Sequence, residues 1–414
     1  MRVTIIGNGG REHAIAWKLS KSEKIEKIFC IPGNVGTNIE NKCENIKIDS
    51  IEEIIKFVKN NKIDFTIVGP EKYFIDGIVD EFQKENLKII GPDKRASLLE
   101  GSKIYAKKFA KKYNIQTAKY KDFNDIDNAL LYLKNKKFPV VIKADGLAAG
   151  KGVIIVNDYN EAKVALKSFM IDGIFSEAGK KVVIEEYLKG YEMSVFVLFD
   201  GENYKLFQTA MDHKKIYERE KGPNTGGMGA ISPHPKLNED LLKKIENKII
   251  KPTITGIKEE NLNYNGILFI GLIIQNNEPY LLEYNVRFGD PETQAILPLL
   301  ENDLMEIFEK TYSKELNKID IKWKDKISCC VVAVSKGYPF SYEKGFEITI
   351  DTNSQIFYAG TTLKNGKLLT DGGRVLSVVE YDDNIKKARE KAYNSLQKIK
   401  FKNMYYRKDI GNML

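Results

Sequence analysis

Short apolar runs alternate with amphipathic stretches through the first hundred residues. Arg2–Ile6, Ile28–Ile31, Phe65–Val68 and Leu87–Ile90 predict buried strands. Between them, a stretch carrying Ala14, Ile15, Trp17 and Leu19, the segment Ile51–Asn60 and a further segment before Leu87 predict helices. Strands alternating with helices predict an open parallel α/β sheet. Each strand runs into glycine or proline, at Gly7, Pro32, Gly69-Pro70 and Gly91-Pro92. Ligands of such sheets sit beyond the carboxyl ends of the strands, where these turns fall.

Farther on the pattern changes. Helices are predicted at Ser102–Tyr113, Asn124–Lys136 and Glu161–Met170, and strands at Phe138–Ala144, Val153–Val156 and Val182–Ile184, enough for a small α+β lobe over 121–189. Strands Glu192–Phe199 and Tyr204–Gln208 precede a long loop from Asp212 to Gly229, a helix Glu239–Lys251 and the strand pair Gly266–Gln275 and Tyr280–Tyr284. The tail reads as strands Ser328–Val334, Phe346–Ile350, Phe357–Thr361 and Val375–Val379, then a helix Asn384–Ile399. The expected division is an α/β domain over 1–101, a central domain over 102–325 that contains the lobe, and a C-terminal α+β domain over 326–414. No internal repeat or low-complexity tract interrupts it.

The chain has 414 residues, too many for a single core, so several domains are expected. Hydrophobic content of 43% with 29% charged residues is that of a soluble globular protein. The net charge of +8 comes from scattered lysines balanced locally by acids, without blocks or aromatic interleaving, which argues against a nucleic-acid surface. Cys30, Cys43, Cys329 and Cys330 show no C-x-x-C spacing, and no apolar segment has signal or membrane length. A reduced, cytoplasmic protein is expected, with no membrane partner.

The stretch most informative about chemistry is Phe138–Val156. Lys143 ends one strand, the turn Asp-Gly-Leu-Ala-Ala-Gly-Lys-Gly follows, and a second strand leaves. Gly146, Gly150 and Gly152 let backbone lie against a phosphate chain, and Lys151 adds charge. The P-loop pattern fails here: the glycine spacing is short, no Ser or Thr follows Lys151, and a strand comes next. A closing phosphate lid is one reading; an ordinary hairpin with a mobile Gly/Lys tip is the other. The first turn, Gly7 to His13, resembles a dinucleotide fingerprint, but Glu12 stands where the third glycine belongs and no acid ends the second strand. A small phosphate at Gly9, Gly10 and Arg11 fits better, against a packing turn with solvated Arg11. Lys103, in the first turn of its helix, is unfavoured by the helix dipole and calls for an anionic partner unless it is simply solvated.

The second informative stretch is Leu281–Glu292. Side chains alternate on a strand, so Glu283, Asn285 and Arg287 are expected on one face, with Leu282, Tyr284 and Val286 opposite. A carboxylate and an amide oxygen are hard ligands suited to Mg²⁺, and an arginine beyond them suits a transferring phosphoryl group. A solvated polar face is the alternative. Only three histidines are present, without zinc spacing, and neither a G-x-S-x-G elbow nor a catalytic cysteine motif occurs. The inventory is that of an enzyme that positions its substrates and supplies electrostatics.

Taken together, these segments resemble the ATP-grasp superfamily. More narrowly, GNGGREHA at 7–14, PGN.GT at 32–37, KADGLAAGKGV at 143–153, GPNTGGMGA at 222–230 and RFGDPE.Q at 287–294 are similar to the glycinamide ribonucleotide synthetase family of phosphoribosylamine–glycine ligases. TIVGPE at 66–71, GSK at 101–103 and RKDIG at 407–411 carry the resemblance from end to end. It implies ligation of glycine to 5-phosphoribosylamine with ATP through glycyl phosphate, with Mg²⁺ or Mn²⁺, in a monomer. It also implies roles. Lys103, Lys143 and the Gly146–Gly152 turn, including Gly150 and Lys151, would bind ATP phosphates. Glu185, Glu186, Tyr187 and Leu188 would meet adenine through the backbone, and Glu192 the ribose. Glu283 and Asn285 would bind metal, Arg287 the transferring phosphoryl. Gly9, Gly10 and Arg11, the loop Pro223, Asn224, Thr225, Gly226, Gly227, Met228 and Gly229, and Asp290 and Glu292 would receive glycine and phosphoribosylamine. Asp212 and Lys214 would stand near the amine. The strand Leu268–Ile274 lacks the acidic metal ligand that many superfamily members carry there, which leaves the metal count open. A carboxylating ATP-grasp ligase is the nearest alternative, and a nucleotide-dependent oxidoreductase a remote one.

Overall fold

A computed structural model of the chain describes residues 1–148 and 152–412. Arg2–Gly7, Lys27–Pro32, Phe65–Val68 and Ile89–Pro92 form a parallel sheet, as their unbroken apolar runs require when both faces are covered. Cys43–Asn45 adds a further parallel edge strand. It is too short and polar to register as an apolar run.

This sheet does not end at residue 92. Tyr264 and Asn265 pair antiparallel with Pro92 and Gly91, so the 12-residue strand Tyr264–Gln275 carries the sheet into the central region. The same strand pairs with Tyr191–Phe199 on one side and Glu278–Asn285 on the other. Beyond Tyr191–Phe199 the sheet continues through Tyr204–Asp212, Gly229–Ser232, Ile327–Ser335 and Arg374–Asp382. One mixed sheet thus runs through the N-terminal, central and C-terminal parts, with apolar clusters on both faces.

The segment 120–186 forms a separate four-stranded antiparallel sheet in the order Tyr120–Phe123, Val182–Glu186, Val140–Ala144, Val153–Val156. Helices Ile126–Leu133 and Tyr159–Met170 bury Leu133, Leu166 and Phe169 against Ile142 and Ile184. Asp125 and Asp158 cap these helices by accepting first-turn N–H groups.

Four local departures from the pattern have physical causes. The Asp212–Gly229 loop contains a hairpin, Lys215–Tyr217 with Lys221–Asn224, turned by Arg219 and Glu220 at positive φ. The helix at Glu239 passes through a π-turn at Glu246–Ile250 into Lys251–Glu259, next to Pro252, which has no N–H for a regular ladder. Asn365-Gly366, both at positive φ, turn a hairpin between Thr361–Lys364 and Lys367–Thr370. Leu282 is a bulge: Gly271 faces Glu283 but Leu272 faces Leu281, so Leu281, Tyr284 and Val286 are buried and Leu282 is not.

Candidate functional site

The four-stranded sheet of segment 120–186 and the Glu278–Asn285 strand meet through lysines. Lys143, last but one on its strand, lies 2.9 Å from Glu185 and donates to the Leu282 carbonyl at 3.2 Å. Glu185 is buried and also holds Lys107 at 3.0 Å; Lys107 donates to Thr117, whose hydroxyl donates to the Leu281 carbonyl. Burial pushes the Lys107 ammonium down to about 8 despite Glu185, while Lys143 and Lys107 hold the Glu185 carboxyl below its usual range against its burial.

The turn is docked from below. Asp145 accepts from the Ser102 hydroxyl at 2.9 Å and the Ile104 N–H at 3.1 Å, so an acid sits at the N-terminus of helix Lys103–Lys112, where its dipole favours one. Lys103 donates to the Gly146 carbonyl at 3.0 Å. Gly146 has φ 140, and a Cβ there would lie 2.7 Å from that of Ala178. Gly150 and Lys151 lie outside the described residues.

Glu283 and Asn285 are half-buried at the end of the strand Glu278–Asn285. Lys214 lies 3.4 Å from Glu283 and 3.0 Å from Glu192, joining the expected ribose residue to the expected metal ligand. Burial raises the Glu283 carboxyl, but Lys214, Lys143 and Lys103 outweigh it and bring it to about 2, so it is ionised at neutral pH. Arg287 lies past the end of the strand rather than on its face, yet its guanidinium folds back to Asn285 Oδ1 at 2.9 Å. It is also paired with Glu71 at 3.1 Å and Glu100 at 2.8 Å. Among the described residues no three His, Cys, Asp or Glu side chains form a metal cluster. Glu283 and Asn285 offer one ionised carboxylate and one amide oxygen. That fits a hard divalent cation that keeps its waters and takes phosphate oxygens.

The third wall joins all three parts of the chain. Arg374 lies 3.0 Å from Asp290 Oδ2 and donates to the Asp290 carbonyl at 2.8 Å and the Gly226 carbonyl at 2.5 Å, while the Gly226 N–H donates to the Tyr338 hydroxyl. Gly227, at φ 108, lets the loop pass against Pro291 and Asp212. Glu292 is buried and Asp212 half-buried beside it, with Ser194 donating to Glu292 at 3.1 Å. Burial and then Glu292 raise the Asp212 carboxyl well above its usual range, and Asp212 Oδ1 has no hydrogen-bond partner among the described residues. The Gly9–Arg11 turn abuts this wall: Arg11 donates to the Phe288 carbonyl at 3.0 Å.

Lys143, Glu185, Glu192, Lys214, Glu283, Asn285 and Arg287 thus come together, but several other expected residues have their groups engaged elsewhere. Glu185 is paired with Val141 in the sheet and Glu186 N–H is donated to the Lys119 carbonyl, so the hinge backbone beyond the strand is Tyr187 and Leu188. Arg11 is committed to Glu12 and Phe288, and Gly9 N–H to Glu12, which leaves the backbone N–H groups of the first helical turn. Met228 is fully buried in the C-terminal core, Gly229 is paired with Val331, and Thr225 shapes the loop by donating to the Lys214 carbonyl and accepting from Gly227 N–H. Pro223 and Asn224 belong to the hairpin.

Sequence reasoning passed over Glu71, Glu100, Lys107, Asp145, Arg374 and Tyr338. Glu71 and Asp145 at least lie inside noted motifs, whereas the others meet the site only through tertiary contacts.

Three family models match the chain: the N domain of phosphoribosylglycinamide synthetase over residues 1–100, its ATP-grasp (A) domain over 101–293 and its C domain over 328–413. Phosphoribosylamine–glycine ligase from Clostridium acetobutylicum is 50% identical over 413 residues, covering 99% of each chain. The crystal structure of phosphoribosylamine–glycine ligase from Thermotoga maritima superposes with a TM-score of 0.89 at 35% identity, covering 99% of this chain and 100% of that one. Biotin carboxylase from Campylobacter jejuni, at 17% identity and a TM-score of 0.75, shares the fold over 99% of this chain and 94% of its own.

Proposed function

This chain belongs to the phosphoribosylglycinamide synthetase family, and from that premise we propose which of its residues perform the reaction. It is a phosphoribosylamine–glycine ligase: it joins glycine to 5-phosphoribosylamine at the expense of ATP, giving glycinamide ribonucleotide, ADP and phosphate in purine biosynthesis. ATP lies in the cleft between the lid sheet and the Glu283 strand. The observation that carries this reading is Lys143, whose ammonium bridges Glu185 and the carbonyl next to Glu283.

Lys143, Lys103 and the 146–152 turn bind the phosphates, with the adenine edge at Tyr187 and Leu188 and the ribose at Glu192. Glu283 and Asn285 would hold a divalent cation, Mg²⁺ or Mn²⁺, which would neutralise charge on the phosphate oxygens. A glycine carboxylate oxygen attacks the γ-phosphorus and ADP leaves. Arg287, held in direction by Glu71 and Glu100, stabilises the charge on the transferring group. The amine of phosphoribosylamine then attacks the glycyl carbonyl and phosphate leaves. Asp212, beside Glu292 and Lys214, is the group at the amine. The first-turn N–H groups at Gly10 and Arg11 receive the ribose phosphate.

The domains follow the division 1–101, 102–325 and 326–414, with the lid at 121–189. The enzyme acts as a monomer in the cytoplasm, whose reducing conditions suit its four free thiols. The test is ADP release. It should require glycine and phosphoribosylamine together, and bicarbonate should not replace glycine; release with bicarbonate alone would point instead to a carboxylating ligase.

A further inference from the structure

Close to the C-terminus, Arg407 buries all but 1% of its side chain behind the Asp212 wall. Its guanidinium donates from every nitrogen: Nε to Asp409 at 2.8 Å, Nη1 to the Lys215 carbonyl at 2.9 Å, and Nη2 to Glu220 at 2.6 Å and Asp409 at 2.9 Å. Asp409 also accepts the N–H of Arg219, at the turn of the Lys215–Asn224 hairpin. Gly411 N–H donates to His213 Nε2 at 3.2 Å, which places the ring proton on Nδ1, where Glu220 accepts it at 3.0 Å. Ile410 packs against Gly229, where any side chain would overlap it.

His213 lies between two residues of the site. Backbone alternation turns Asp212 and Lys214 to the cleft while His213 points back to the tail. Its N–H donates to the Gly229 carbonyl, and its own carbonyl accepts from Met228. A buried ion pair is by itself weak evidence for stability, since apolar replacements of such pairs are often neutral or stabilising. What the planar fork adds is direction, and it aims at both ends of the hairpin.

We propose that the Arg407–Gly411 segment is a positioning clasp: through His213 and the Lys215–Asn224 hairpin it sets Asp212 beside Glu292. On the functional reading above, the tail therefore governs the use of glycine and phosphoribosylamine rather than of ATP.

The test compares Arg407→Lys and Glu220→Gln with the parent enzyme by backbone hydrogen exchange and by substrate KM. Glu220 is half-exposed, so its variant retains the fold. Exchange over 212–229 should quicken in both variants while 140–200 is unchanged. KM for glycine or phosphoribosylamine should rise roughly tenfold, the scale of one charge-assisted hydrogen bond, with KM for ATP unmoved. Unchanged exchange over 212–229 overturns the clasp, as does a KM for ATP that rises in step with the others. A parent enzyme inactive with these substrates would count against the functional reading only, because the exchange measurement decides the clasp by itself.

Discussion

Arg287 Nη2 lies 2.9 Å from Asn285 Oδ1, so the expected phosphoryl-stabilising cation and the expected metal ligand are in direct contact. Glu100 accepts from the same Nη2 and Glu71 from Nε of that guanidinium. Replacing Arg287 by Ala should lower turnover by about two orders of magnitude or more while nucleotide binding persists, the scale of losing one preorganised charge donor. Arg287→Lys should not rescue it, because an ammonium cannot reproduce a planar fork between three acceptors. Steady-state kinetics alongside nucleotide titration checks this; near-normal turnover would contradict the role.

Lys143→Met should fold, because Glu185 keeps Lys107 at 3.0 Å. KM for ATP should rise by roughly tenfold or more, as expected for a lost charge-assisted contact to phosphate. Binding of ATP measured by calorimetry should weaken in parallel, and an unchanged affinity would remove Lys143 from the phosphate site.

Gly227→Ala separates the two halves of the cleft. At φ 108 an alanine is strained, and its Cβ would overlap Pro291 and lie 2.9 Å from Asp212 Oδ1. Ligation should be lost while ATP still protects the protein against thermal unfolding. Loss of that protection would show that the loop also shapes the nucleotide site.

His234 gives a pH dependence with a definite sign. Burial lowers its imidazole from 6.5 to about 4; Nε2–H donates to the Glu192 carbonyl and Nδ1 accepts from Lys236 N–H. The unfolded chain therefore binds a proton more readily than the folded one between these values, and stability falls as pH drops from about 6.5 to 4. The full loss is ~3 kcal/mol. Urea unfolding of His234→Asn beside the parent should show a smaller decline across that window. Equal declines would mean that His234 does not titrate with unfolding.

Much of this arrangement was written in local sequence. The Lys143 strand, the glycine turn and the Glu283–Asn285 pair lie in short continuous stretches whose apolar alternation fixes their faces. Arg287 shows where alternation stops being a guide: the strand ends at Asn285 and the Leu282 bulge shifts the buried set, so Arg287 reaches Asn285 by folding back. Glu100 and Arg374 carry no local signal because their partners lie 187 and 84 residues away. Glu12, read as a departure from a glycine fingerprint, accepts from Gly9 N–H and pairs with Arg11, filling space left by Gly7 and Gly69.

On the proposed mechanism the enzyme activates a carboxylate by phosphorylating it before the amine attacks. Glycine labelled with ¹⁸O in both carboxylate oxygens, turned over with ATP and phosphoribosylamine, tests it most directly by mass analysis of the inorganic phosphate. One ¹⁸O atom in each phosphate released is the predicted result. Phosphate carrying none, with the departing labelled oxygen recovered in water or ADP instead, would contradict it.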